Sequence, residues 1–174
     1  MSALDADTQI ESFIAKFSDD VAPQIRAARA AMRARLPGAV EMAYDNYNAL
    51  AIGYGATEKL SDLVFSIAAF PRWVRLFFYR GAELDDPDGR LEGEGAQVRS
   101  ILFTGPAVLD EPTVRALMDQ ALRRARTPID SAQPSRTVVK SISAKQRPRW
   151  HLCSEARTHG SSAVLAGRRG AAVE

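Results

Sequence analysis

The stretch Tyr44-Asp45-Asn46-Tyr47-Asn48 puts a carboxylate, two amides and two phenols into five residues. Asp and Asn bend turns by hydrogen-bonding to nearby backbone, and the same cluster of hydrogen-bonding side chains beside aromatics suits a small-ligand pocket. Trp73 and Arg75, on a nearby strand, complete the candidate ligand-binding set, although Trp73 also fits ordinary core or edge packing. General acid–base and nucleophilic catalysis lean on His and Cys, whose pKa values lie nearest neutrality. Both histidines, His151 and His159, and the single cysteine, Cys153, follow residue 150. The preceding 150 residues therefore hold no Ser-His-Asp or Cys-His set and no His/Cys zinc site. No catalytic residue, cofactor or metal ligand is assigned, and the balance leans away from an enzyme. Any catalysis would fall to carboxylates, Lys or Tyr. His151, Cys153 and His159 match a soft metal in type, but with no folded scaffold around them they read as a chance cluster.

Residues 81–95 form an acidic, glycine-rich run, GAELDDPDGRLEGEG. With Gly89 in the sixth place of a calcium loop, the first and twelfth places fall on Leu84 and Gly95, where that loop needs an acid and a Glu. The run reads as a turn, its Asp-Pro and Asp-Gly pairs setting the backbone. Gly93-Glu94-Gly95 is no phosphate cradle, because no Gly-Lys-Ser/Thr follows.

Charge is unevenly spread. Residues 1–130 hold 15 Lys and Arg against 19 Asp and Glu, a net of −4, whereas residues 131–174 hold 8 against 2, a net of +6. Within the basic part, Lys140, Lys145, Arg147 and Arg149 set four positive charges in ten residues. Phosphate contacts by such a run give salt-dependent, unspecific affinity. No aromatic platform alternates with these residues in sequence, so nucleic acid is not the favoured partner and weak association through this tail is kept as an alternative. Val138, Val139 and Ile142 favour an edge strand over residues 137–142, followed by a cationic extension.

The elements that must position these residues follow from apolar spacing. Ile10, Phe13, Ile14 and Phe17 make one helical face over residues 8–17, and Val21, Ile25, Ala28, Met32 and Leu36 make another after a Ser18-Asp19-Asp20 capping signal. Arg26, Arg29, Arg33 and Arg35 fall mainly off the second stripe. From Val40 the period becomes two, and residues 40–44 and 47–54 predict a hairpin. Residues 63–70, 74–79 and 97–103 predict three further strands. Asp110, as N-cap, opens a third helix that Pro128 ends. The order predicts an α+β two-layer domain: an antiparallel five- to six-stranded meander sheet with helices before and after it. Residues 1–142 are taken as a single domain and 143–174 as a basic, flexible tail. The longest apolar run is far short of the roughly 20 residues that span a bilayer. The early acids are unlike a secretory leader, so no membrane association and a cytoplasmic location are expected. One cysteine allows no intramolecular disulfide.

The segments YDNYNALAIGYG (44–55), FSIAAFPRWVRLFF (65–78), DPDGRLEGEGAQVRSILF (86–103) and VKSISAKQRPRW (139–150) resemble the domain of unknown function 1801 family, the YdhG-like group. The resemblance covers residues 13–150 and implies a helix-flanked antiparallel sheet distantly like bacterial frataxin. It brings no catalytic motif. It implies an uncharacterised binding or interaction module with an unknown small ligand or protein partner, or alternatively a frataxin-like iron chaperone. Iron would draw on Asp5, Asp7, Glu11, Asp19 and Asp20, which equally suit helix N-termini.

Overall fold

The structure, a computed structural model, describes residues 5–150. Helix α1 (Ala6–Ile14) starts at Asp5, whose side chain accepts the Thr8 backbone N–H at 2.9 Å. That bond satisfies one of the donors a helix start leaves free. Its apolar stripe buries Ile10, Phe13 and Ile14. Helix α2 (Ala22–Arg35) has Val21 at its cap position and no capping side chain, so the expected signal at Ser18-Asp19-Asp20 does not act. Instead the Ser18 carbonyl accepts from the Val21 and Ala22 N–H groups.

Strands β1 (Val40–Asp45), β2 (Leu50–Gly55), β3 (Leu63–Ala69), β4 (Val74–Phe78) and β5 (Arg99–Phe103) pair successively and antiparallel. Residues 47–49 form the β1–β2 turn rather than the start of β2, closed by the Asn46 N–H on the Ala49 carbonyl at 3.0 Å. Helix α3 (Pro112–Arg123) follows a 3-10 turn over Pro106–Asp110. Asp110 is not its cap; that position is held by Glu111 with Pro112 next, and Asp110 pairs with Arg35.

Strand β6 (Arg136–Ile142) pairs with β1, giving the sheet order β5-β4-β3-β2-β1-β6. The pairing is parallel, with a bulge between Ala43 and Tyr44. A parallel neighbour needs a long crossover, which α3 and the segment after it provide. The protein is thus an α+β fold, with a mostly antiparallel sheet and helices before and after it.

Leu50, Ile52, Phe65, Ile67, Leu76, Phe78 and Ile101 join the helices' stripes in one core. The opposite face holds a small separate cluster of Val40, Met42 and Leu63 backed by Tyr44, Tyr79 and Val138. In β1 the helix-side positions are therefore Glu41, Ala43 and Asp45, two of them charged and buried.

The domain boundary placed after Ile142 needs correction. Residues 143–150 turn back across the end of β1, where Arg149 is 1% exposed and bridges to Phe17. The domain includes them because Arg149 pairs with the buried Asp45 carboxylate of the sheet and Gln146 donates to it. Among the described residues no helix is long and apolar enough to cross a membrane.

Candidate functional site at the hairpin end of the sheet

Four stretches meet at one end of the sheet: the β1–β2 turn, the β3–β4 turn at residues 70–73, the chain leaving β5 at 104–107, and residues 143–150 after β6. Their anchor is Asp45, which is 0% exposed. It accepts from Lys16 Nζ at 2.6 Å, from Gln146 Nε2 at 2.6 Å and from Arg149 Nη1. Arg149 Nη2 donates to the carbonyls of Asn46 and Ala49, the latter at 3.4 Å, so one guanidinium holds both sides of the turn. Its face covers the Phe17 ring at 5.3 Å, a cation–π contact. Arg149 Nε is the one buried side-chain polar atom without a partner among the described residues. Burial on its own would raise the Asp45 pKa, but hydrogen bonds from Lys16, Gln146 and Arg149 more than offset it, and the carboxyl lies below the usual Asp value.

On this anchor stand the aromatics. Tyr47 is 48% exposed, Trp73 45% and Trp150 52%. The Arg147 guanidinium lies 6.0 Å from the Tyr47 ring, and the Arg147 N–H donates to the Tyr47 carbonyl at 2.9 Å. Arg147 and Pro148 separate two clefts. One, of about 530 Å³, is walled by Asn48, Phe70, Pro71 and Trp73. The other, of about 460 Å³, is walled by Lys16, Phe17, Arg149 and Trp150. Phe70 and Trp73 lean together with centroids 6.1 Å apart, which fixes the first wall.

The expected ligand set is therefore partly assembled. Asn48 and Trp73 share a cleft, Tyr47 stands beside it, and Asp45 and the Asn46 carbonyl lie beneath as support. Tyr44 points to the opposite face of the sheet, its hydroxyl toward Met42 Sδ at 3.9 Å. Arg75 is also elsewhere: it donates to Ser100 Oγ at 3.0 Å and pairs with Glu92. The basic set divides too. Lys140 pairs with Glu58 at 3.1 Å, Arg149 is buried, and Lys145 and Arg147 remain exposed at the clefts' end of the sheet. Phe70, Pro71, Pro148 and Trp150 were not foreseen as site residues; the signal available was their matching Pro–Arg–Trp runs at 71–73 and 148–150.

Comparison with protein-family profiles, curated proteins and solved structures returns no match.

A second charged cluster, also unforeseen, ties the helices to the sheet. Glu41 accepts from Arg29 Nε at 2.9 Å and Nη2 at 2.8 Å, from Arg33 Nε at 3.1 Å, from the Tyr54 hydroxyl at 3.1 Å and from the Thr137 hydroxyl at 2.9 Å. Asp7 pairs with both arginines, so two carboxylates balance two guanidiniums. Burial would raise the Glu41 pKa, but the Arg29 hydrogen bonds and charge, the Arg33 charge and Thr137 hold it below the usual value. The same burial, with the Glu41 charge beside it, pushes the Tyr54 phenol well up. Neither group exchanges a proton near neutral pH. A carboxylate at a helix-side strand position facing two arginines one helical turn apart is the sequence signal for this cluster. The third buried carboxylate, Asp62, accepts from the hydroxyls of Thr57 at 2.6 Å and Thr127 at 3.2 Å.

The acids considered for metal binding are dispersed. Asp5 caps α1, Asp7 pairs with Arg29 and Arg33, and Glu11 pairs with Arg26. In the acidic run, Asp86 accepts the Arg90 and Leu91 N–H groups, Asp88 the Thr113 hydroxyl, and Glu92 pairs with Arg75. Among the described residues no three His, Cys, Asp or Glu side chains converge. His151, Cys153 and His159 lie outside the described residues.

Proposed function

We propose that the chain is a non-enzymatic cytoplasmic binding module, in keeping with its resemblance to the YdhG-like family, and that it recognises its ligand at the hairpin end of the sheet. The observation that carries this reading is the pair of clefts on either side of Arg147 and Pro148, each walled by a half-exposed tryptophan. Exposed Trp and Tyr beside a guanidinium offer stacking area and directed hydrogen bonds, the composition of binding hot spots rather than of reacting centres. The three buried carboxylates support the same reading. Each is fully engaged by cations or hydroxyls, so none is poised to give or take a proton at neutral pH.

A thermal-unfolding screen of metals, nucleotides, phosphorylated metabolites and lipids tests it, because a ligand selective for the folded state raises the midpoint. A hit is expected whose effect disappears in Trp73→Ala. Turnover in a hydrolase or transferase panel, lost in a folded Tyr47→Phe variant, would refute the non-enzymatic reading.

A further inference from the structure

We infer that the hairpin end is a stacking platform for single-stranded nucleic acid, an inference that rests on the binding surface proposed above and names its ligand. In sequence the basic run has no aromatic partner, yet folding supplies one. Residues 143–150 are laid between two turns from distant parts of the chain, so Arg147 comes to rest on Tyr47 and shares a cleft with Phe70 and Trp73. The next cleft ends at Trp150. Cations and rings therefore alternate across the surface although they do not alternate along the chain.

Charge selects the ligand further. The segments 46–49, 70–73, 104–107 and 143–150 contain no Asp or Glu, but they contain Arg72, Lys145, Arg147 and Arg149. Arg149 is spent on Asp45, which leaves Arg72, Lys145 and Arg147 exposed. The acid adjoining these segments, Asp45, is buried and paired with Lys16 and Arg149, and no Asp or Glu walls either cleft. A polyanion is drawn here with no local repulsion, and unpaired bases have flat faces for Trp73 and Trp150. Two clefts across one arginine ridge fit consecutive bases joined by a phosphate, the pattern of sequence-tolerant strand binding. A duplex hides its base faces and cannot use the rings. Asn48 and the rigid turn beneath keep the platform formed before binding, because Asp45 and Arg149 fix it from below.

The full chain, titrated into fluorescein-labelled oligothymidylate and oligouridylate and followed by anisotropy, is expected to bind. With about 0.7 counterions released per cation on a single strand, three cations give a log–log salt slope near −2. Trp73→Ala and Trp150→Ala are each expected to weaken binding by roughly tenfold, the range of one stacked base. Trp73→Phe should restore most of it. Arg147→Ala should flatten the salt slope by about 0.7. Unchanged unfolding midpoints show that these exposed substitutions leave the fold intact. Equal affinity for a duplex of the same length overturns the inference, as does the absence of saturable binding at low salt. If the strand is ignored while another compound raises the midpoint in a Trp73-dependent way, the strand is refuted and the binding surface stands. If strand binding is unmoved by all three alanine variants, it occurs elsewhere and both readings fall.

Discussion

Arg149 and Asp45, 104 residues apart in sequence, form an ion pair in which both side chains are sealed from solvent. This pair closes the β1–β2 turn, holds residues 143–150 against the sheet and places Arg147 between Trp73 and Trp150. Removing one partner of a buried pair leaves the other charge without compensation, a loss of about 3–5 kcal/mol. Arg149→Ala is expected to lose that much in urea unfolding at neutral pH. Lys16→Met should lose less, about 1 kcal/mol, because Lys16 is partly exposed and Arg149 still neutralises Asp45. Equal losses would show that the tail does not clamp the turn.

Glu41 gives a second contrast. It is buried and takes hydrogen bonds from four side chains, whereas Asp7, its companion on the same arginines, is more than half exposed. Glu41→Gln leaves the buried Arg29 guanidinium short of a counter-charge and should cost about 3–5 kcal/mol. Asp7→Asn should cost under about 1 kcal/mol, as exposed pairs do. Chemical denaturation of the two variants measures the difference, and a reversed order would mean that the cluster is held from α1.

These carboxylates also set the response to pH. The folded pKa of Glu41 lies below its ordinary 4.5, and that of Asp45 below its ordinary 3.8. Each therefore contributes stability that is fully present above its unfolded value and is lost as pH falls through the folded one. Unfolding free energy should be flat near neutrality and fall steadily below about pH 4.5. The fall should be shallower in Glu41→Gln, which carries no titrating group there. On the alkaline side the sign reverses. The Tyr54 phenol is raised above its ordinary 10.0, so its contribution is present below that value and is lost as pH rises toward the folded one. Tyr54→Phe should remove that part of the alkaline loss. Unfolding midpoints from pH 3 to 11, a range spanning about the reference carboxyl and phenol values, test both limbs.

The elements were legible because their periods are local. Ile10, Phe13 and Ile14 announce α1, and the run at Leu63–Ala69, apolar except for Ser66, announces a strand buried on both faces. The phase of β1 was not legible. Apolar spacing favours Val40, Met42 and Tyr44 for the main core, yet Glu41 and Asp45 face the helices because arginines from α2 and residue 149 wait there. The direction of β6 was likewise hidden, since a parallel partner is chosen by the crossover and not by the strand's own residues. For the site, Tyr47, Asn48 and Trp73 could be proposed from their types. Tyr44 and Arg75 could not be excluded without β-strand phase, which sends them to the opposite face. Arg149 looked like the rest of a solvated basic tail, because its partner is separated from it by almost the whole domain.

The route by which β6 reaches β1 passes over Gly38, and this glycine gives the last test. Gly38 has φ +82°, and a Cβ there would sit 1.9 Å from the Asp130 carbonyl oxygen. Its N–H donates to Ser135 Oγ at 2.9 Å, and the Arg136 N–H reaches the neighbouring Ala39 carbonyl at 3.4 Å. The segment delivering β6 is thus laid directly on the α2–β1 connection. Gly89 also has positive φ, +62°, but a Cβ there would meet nothing within 4 Å. Gly89→Ala should therefore cost only the backbone term, about 1 kcal/mol. Gly38→Ala adds a collision with backbone that no side-chain movement relieves, and should cost well above about 2 kcal/mol. Because displacement of residues 130–135 shifts the start of β6, Gly38→Ala should also speed amide exchange through Arg136–Ile142 and at the Arg147 N–H. Gly89→Ala should leave those amides protected. Hydrogen exchange read by mass spectrometry separates the outcomes, and protection of β6 in a destabilised Gly38→Ala protein would show that the strand docks independently of its approach.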